Sequence, residues 1–142
     1  MVQRGIEVGN WFKAKLGAAF YMENPVGSLE RRPYMVEWER QQGVVKHMVH
    51  YCAFDHWYMK PTNLWLSSEG WQPRGRTGTG LCMGECKWGQ ESAKGHWEHI
   101  YKIAQGSKQA KTGKGRKARK NMMPLWLQQE LVGWAQWVQQ WG

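Results

Sequence analysis

Apolar positions fall at helical spacing near both ends of this chain and in strand-like runs between them. Residues 5 to 16 carry Ile6, Val8, Trp11, Phe12 and Leu16 at helical intervals, and Gly17 supplies a stop. Ala18-Ala19-Phe20-Tyr21-Met22 is a short unbroken apolar run, the pattern of a strand buried on both faces, as in a parallel sheet. It meets turn chemistry at Asn24-Pro25-Val26-Gly27-Ser28. Open α/β sheets place ligand sites at such strand ends. Residues 29 to 42 are charged and part helical. Two further runs, 44 to 52 and 61 to 66, read as adjacent strands of a hairpin joined by an aromatic loop with Phe54, His56, Trp57 and Tyr58. Residues 67 to 95 are rich in Gly, Ser, Thr and Arg and predict little regular structure. After Pro124, Leu127, Leu131, Trp134, Val138 and Trp141 follow at spacings of four, three, four and three, one stripe on a terminal helix.

These elements predict an α/β or α+β fold in a single domain over residues 1–142. It comprises a small mixed sheet with a buried strand near 18–23, a hairpin near 44–66, an irregular Cys/His region and a C-terminal helix. A chain of this length can enclose one core. No run reaches the ~18 apolar residues of a membrane span.

Composition adds a partner surface. The chain has eleven Trp against three Phe. Four of the Trp, at 126, 134, 137 and 141, crowd a helix whose single stripe cannot bury them all, so that helix is expected to bind a protein partner or a second copy.

Charge adds a second expectation. Lys and Arg number 20 against 11 Asp and Glu, a formal net charge of +9. That balance suits nucleic acid, an anionic membrane or an acidic assembly. No acidic residue falls between Glu98 and Glu130, and residues 105–120 form a Gly-containing basic loop expected to order only on an anion. Lys108, Lys111, Lys114, Arg116, Lys117, Arg119 and Lys120, joined by Arg74 and Arg76, are the candidate phosphate contacts. The block holds no aromatic residue, so base stacking is not expected within it.

Three cysteines without an N-terminal signal pattern favour an intracellular reducing compartment, with nucleus and organelle both open. Cys82-x3-Cys86 has zinc-ligand spacing and precedes His96-x2-His99. A loop-rich segment gains most from a metal staple. The expected structural zinc ligands are Cys82, Cys86, His96 and His99, with Cys52 as the alternative fourth and His47 and His50 as further candidates.

Four segments in order resemble C5-cytosine DNA methyltransferases, in the branch found in phages and protists. Tyr21-Met22-Glu23-Asn24-Pro25-Val26-Gly27-Ser28-Leu29 is similar to the Glu-Asn-Val/Pro motif. Tyr51-Cys52-Ala53-Phe54 with Lys60-Pro61-Thr62-Asn63-Leu64-Trp65 resembles the following strand pair. Arg76-Thr77-Gly78-Thr79-Gly80 matches a glycine-rich turn. Lys120-Asn121-Met122-Met123-Pro124-Leu125-Trp126-Leu127 is similar to the closing Gly-Asn-x-x-Pro motif, with Lys120 in place of Gly. The resemblance runs from about residue 16 to 132 and covers the C-terminal half of that family. It implies that Glu23 is the carboxyl group that contacts the target base and that Asn121 helps hold the methyl donor.

The sequence contains neither the Phe-x-Gly-x-Gly loop for S-adenosylmethionine nor a Pro-Cys nucleophile. Methylating C5 requires a thiolate to add to C6 of a flipped-out cytosine, with a carboxylic acid assisting. The acid alone cannot run that reaction, and S-adenosylmethionine binding is not expected without a partner chain. The sequence therefore predicts a non-catalytic, methyltransferase-derived protein that binds DNA through a basic surface. The alternatives are a structural or interaction subunit of a larger assembly, and one half of a split methyltransferase completed by a separate chain.

Overall fold

The computed structural model describes residues 1–100 and 122–141. Along the chain lie helix α1 (Val2–Leu16), strand β1 (Tyr21–Pro25), helix α2 (Pro33–Glu39), strands β2 (Val45–His50), β3 (Pro61–Leu66), β4 (Gly89–Glu91) and β5 (Trp97–His99), and helix α3 (Leu125–Trp141). Short 3-10 turns occupy Ser28–Arg31 and Tyr51–Phe54. The architecture is α+β, with an antiparallel three-stranded sheet in the order β1-β3-β2 and a separate antiparallel pair β4-β5. No helix among the described residues is long and apolar enough to cross a membrane.

The chain divides into two compact units. One comprises Met1–Met48, Thr62–Gln72 and Gln129–Gly142; the other comprises Val49–Pro61 and Pro73–Gln128.

In the first unit, α1 stops at Gly17 (φ 66°), whose amide donates to Lys13 O at 3.0 Å, and Lys13 and Lys15 complement the negative end of the helix. Ile6 is buried from α1 and joins Met35, Trp38 and Trp65 in a core that Phe20 and Met22 border. Phe20 stacks on Trp38 with ring centroids 5.5 Å apart. Its amide donates to Ser67 Oγ at 2.9 Å, and Lys13 Nζ donates to Ser67 O.

β1 pairs antiparallel with β3, from Tyr21 opposite Leu66 to Pro25 opposite Thr62. β1 is an edge strand whose exposure alternates. The strand expected to be buried on both faces is therefore β3, where Thr62 to Leu66 are all buried. The apolar run at 18–22 misled because its first three residues precede the strand, and Glu23 and Asn24 give β1 a polar character. A central strand is covered by neighbours on both edges, whereas an edge strand keeps a wet side.

Glu30 accepts from Lys46 Nζ at 2.8 Å and from Asn63 Nδ2 at 3.0 Å, tying the turn after β1 to the sheet. These donors hold the Glu30 carboxyl below its ordinary range, the Lys46 hydrogen bond contributing most. From α3, Leu131, Trp134 and Val138 are buried, and the Trp134 indole N–H donates to Glu69 O at 3.2 Å.

In the second unit, the turn Tyr51–Phe54 is wholly buried and ends at Asp55 in the left-handed conformation (φ 64°). The 73–80 loop packs on this turn. Arg76 N donates to Ala53 O at 2.7 Å, and Gly80 O accepts from His50 N at 2.9 Å. Gly75 makes the approach possible, since a Cβ there would lie 2.4 Å from Ala53 O on a backbone with φ +60°. Gly75→Ala is expected to destabilise the protein by about 1–3 kcal/mol. Gly78→Ala has the same left-handed backbone (φ +81°) but open space around the new Cβ, and should cost less. Denaturant midpoints of the two variants check this, and equal midpoints would contradict the close packing.

Candidate metal centre

The metal-ligand candidates converge in the second unit. Sγ of Cys52, Cys82 and Cys86 and a ring nitrogen of His99 all lie within 4.8 Å of one another. His99 Nε2 is 3.2 Å from Cys52 Sγ and 3.7 Å from Cys82 Sγ. The three cysteines are buried and free of disulfides, with Met59 and Trp88 packed around them. His99 is half-buried as a residue and turns Nε2 toward the sulfurs.

Each ligand is placed by local structure. Cys52 sits in the buried turn that follows β2. Cys82 is held through its backbone, where its amide donates to His50 Nδ1 at 2.9 Å. That bond leaves the His50 proton on Nε2 in the neutral ring. Between Cys82 and Cys86 the chain reverses at Gly84 (φ +107°), and Met83 N donates to the Glu85 carboxylate at 2.8 Å. Three residues after Cys86, β4 begins, and its pairing with β5 sets Gly89 opposite His99. The hairpin thus returns His99 to the cysteines.

Burial disfavours charge at Cys52, Cys86 and His99. The Cys52 thiol is pushed far above its ordinary value, first by burial and then by the neighbouring Cys86 and Cys82. Burial also raises Cys86, although a hydrogen bond from the Trp88 amide favours its thiolate. His99 is lowered by burial and then by His50, and His50 is itself lowered by burial, so both rings are neutral at pH 7. Three thiols and a neutral imidazole are a donor set that binds a soft or borderline cation once the thiols lose their protons. The geometry is compatible with a structural metal site.

The structure brings together the predicted Cys82, Cys86 and His99 and takes its fourth member from Cys52. His96 stands apart. It lies in the β4-β5 turn, where its amide donates to Ser92 Oγ at 3.2 Å, and its side chain is exposed. His96 precedes β5 and is not among the four clustered ligands. His47 lies in the first unit, edge-on to Trp71 with ring centroids 5.5 Å apart.

The other candidates are distributed as follows. Arg74 and Arg76 are exposed, and Arg76 makes a two-pronged pair with Asp55, at 2.7 Å from Nε and 2.8 Å from a terminal nitrogen. That pairing holds the Asp55 carboxyl below its usual range. Lys108, Lys111, Lys114, Arg116, Lys117, Arg119, Lys120 and Asn121 lie outside the described residues. Glu23 is exposed on β1. Of the four helix tryptophans, Trp134 is buried and its N–H donates to Glu69 O. Trp126 is half-buried beneath the Arg76 guanidinium, 5.9 Å from the ring centroid. Trp137 is 47% exposed yet rests on Gly70, where a Cβ would come within 2.3 Å of its ring. Trp141 is 74% exposed.

Comparison with protein-family models, with curated proteins and with solved structures finds no match to this chain.

Proposed function

We propose that this chain is a non-catalytic, methyltransferase-derived DNA-binding protein whose Cys/His centre holds a structural zinc ion. The observation that carries the metal part of this reading is the convergence of Cys52, Cys82, Cys86 and His99. Tetrahedral zinc with bonds of about 2.3 Å to sulfur and 2.0–2.1 Å to nitrogen sets S···N edges of roughly 3.6 Å. The separations of 3.2 and 3.7 Å bracket that value. Four protein ligands leave no open position, which suits a staple and not a catalytic metal.

DNA is the partner favoured by charge. The net charge is +9, and the seven cations from Lys108 to Lys120 follow His99 along the chain with no acidic residue among them. Nine cations counted with Arg74 and Arg76 can each release condensed counterions on meeting phosphate. The methyltransferase ancestry rests on the four ordered segments, and the absence of a Pro-Cys pair from the sequence supports a binding role over methyl transfer. Zinc-loaded protein should bind duplex DNA with log affinity falling against log salt at a slope steeper than about −4. A flat slope, or no binding at low salt, would overturn the DNA reading.

A second reading, an interaction subunit, is favoured by α1. Val8, Phe12 and Leu16 recur every four residues on one side of the helix and are exposed, with Trp11 beside them. Contiguous exposed apolar area of this kind marks protein interfaces. Stable membership of an assembly, without DNA affinity, would select this reading.

A further inference from the structure

Away from the sulfur cluster, residues 55–58 and 122–125 wall a cavity of about 240 Å³. Its chemistry is aromatic and soft, with His56, Trp57 and Tyr58 on one side and Met122, Met123 and Pro124 on the other. The volume falls below the roughly 300–1,000 Å³ of pockets for drug-sized ligands, so it suits a single flat ring system.

The aromatic wall is held in place. Tyr58 N donates to His56 Nδ1 at 3.1 Å, which pins the loop onto itself. The His56 ring lies 5.5 Å from Tyr51 and 5.8 Å from Tyr58, and the Trp57 ring 5.9 Å from Trp88. A wall already fixed loses little conformational freedom when a ligand stacks on it.

Two cations outside the lining pair with its one carboxylate. Asp55 is the one acidic residue in the lining, and it faces two cations: Arg76 in the two-pronged pair and Lys87 at 4.0 Å. Both cations keep about half of their side-chain surface exposed. An aromatic pocket whose one carboxylate is matched by two cations is complementary to a planar ring carried on an anionic backbone. Duplex bases are already stacked on their neighbours, whereas single strands can offer a base to an aromatic side chain.

We propose that this pocket holds one unstacked nucleobase of a single-stranded nucleic acid, with Trp57 as a stacking face and Arg76 and Lys87 as contacts to flanking phosphates. The proposal rests on the nucleic-acid reading above and supplies the base contact that the aromatic-free basic run cannot make.

The test is fluorescence anisotropy of zinc-loaded protein with a 20-nucleotide oligothymidylate and with the same strand annealed to its complement. Trp57→Ala is expected to weaken single-strand binding about tenfold while leaving duplex affinity within about twofold, and Trp57→Phe to restore most of the loss. Met122→Glu sets a carboxylate at the mouth from a residue that is 60% exposed, so it is not expected to disturb folding, and it should give the same selective loss. It decides the matter should Trp57→Ala fail to fold. Unchanged single-strand affinity in the folded variants, or equal losses on both substrates, would overturn the pocket assignment and leave the DNA reading standing. Failure of the parent protein to bind either substrate would overturn both.

Discussion

Removing the metal, by a strong chelator or by Cys86→Ser, is expected to abolish the ordered structure of residues 82–99. β4 and β5 have only three residues each, and a two-stranded hairpin of that size is not stable in water by itself. A cation held by His99 at one end and by the cysteines that precede it would fix the hairpin. Structural zinc contributes apparent free energies of about 10–16 kcal/mol in small zinc modules, comparable with the whole net stability of about 5–15 kcal/mol of an ordinary protein. The thermal midpoint should therefore fall by more than about 10 °C, and amide protection across β4 and β5 should vanish. Acid should act in the same direction. Burial favours protonated thiols at Cys52 and Cys86, so a cation must displace protons to bind, and its affinity falls as pH falls. An unchanged midpoint and unchanged amide protection after complete chelation would show that the cluster is not a staple.

Trp65→Ala is expected to be the most damaging single substitution in the first unit, at about 3–5 kcal/mol. Trp65 has no exposed surface and sits on the central strand within the Ile6, Met35 and Trp38 core. Its indole N–H donates to Glu39 Oε1 at 2.6 Å, and the Lys46 ammonium lies 5.6 Å from its ring centroid. Truncation opens a cavity and removes the donor from a carboxylate, two losses that add. Trp141→Ala removes the same side chain from a site that is 74% exposed and should shift stability by no more than about 0.5 kcal/mol. Urea unfolding of the two variants separates them, and similar midpoints would contradict the assignment of Trp65 to the core.

Periodicity made the two long helices legible. The Leu127, Leu131, Trp134 and Val138 stripe is buried as its spacing implies. The hairpin was legible too, because β-branched runs separated by an aromatic loop became the neighbours β2 and β3. What the pattern could not decide was which strand is central. An apolar run records the burial of side chains and not the number of strand partners: β3 has two and β1, at the edge, has one.

The candidate metal site was half legible for a similar reason. Cys82 and Cys86 are close in sequence and were readable from spacing, but Cys52 lies 30 positions before Cys82 and reaches the site only through the fold. Nor could spacing show that His96 falls in the β4-β5 turn while His99 falls on β5. Spacing shows that Trp134 belongs to a stripe, not that a backbone carbonyl such as Glu69 O accepts from its N–H.

X-ray absorption at the zinc edge, on protein purified without added metal, reads both the content and the first shell of the Cys/His centre. About one equivalent of zinc is expected, with three sulfurs at about 2.3 Å and one nitrogen at about 2.0–2.1 Å. Less than half an equivalent, or a first shell containing water oxygen or a second histidine nitrogen, would contradict the structural-zinc reading.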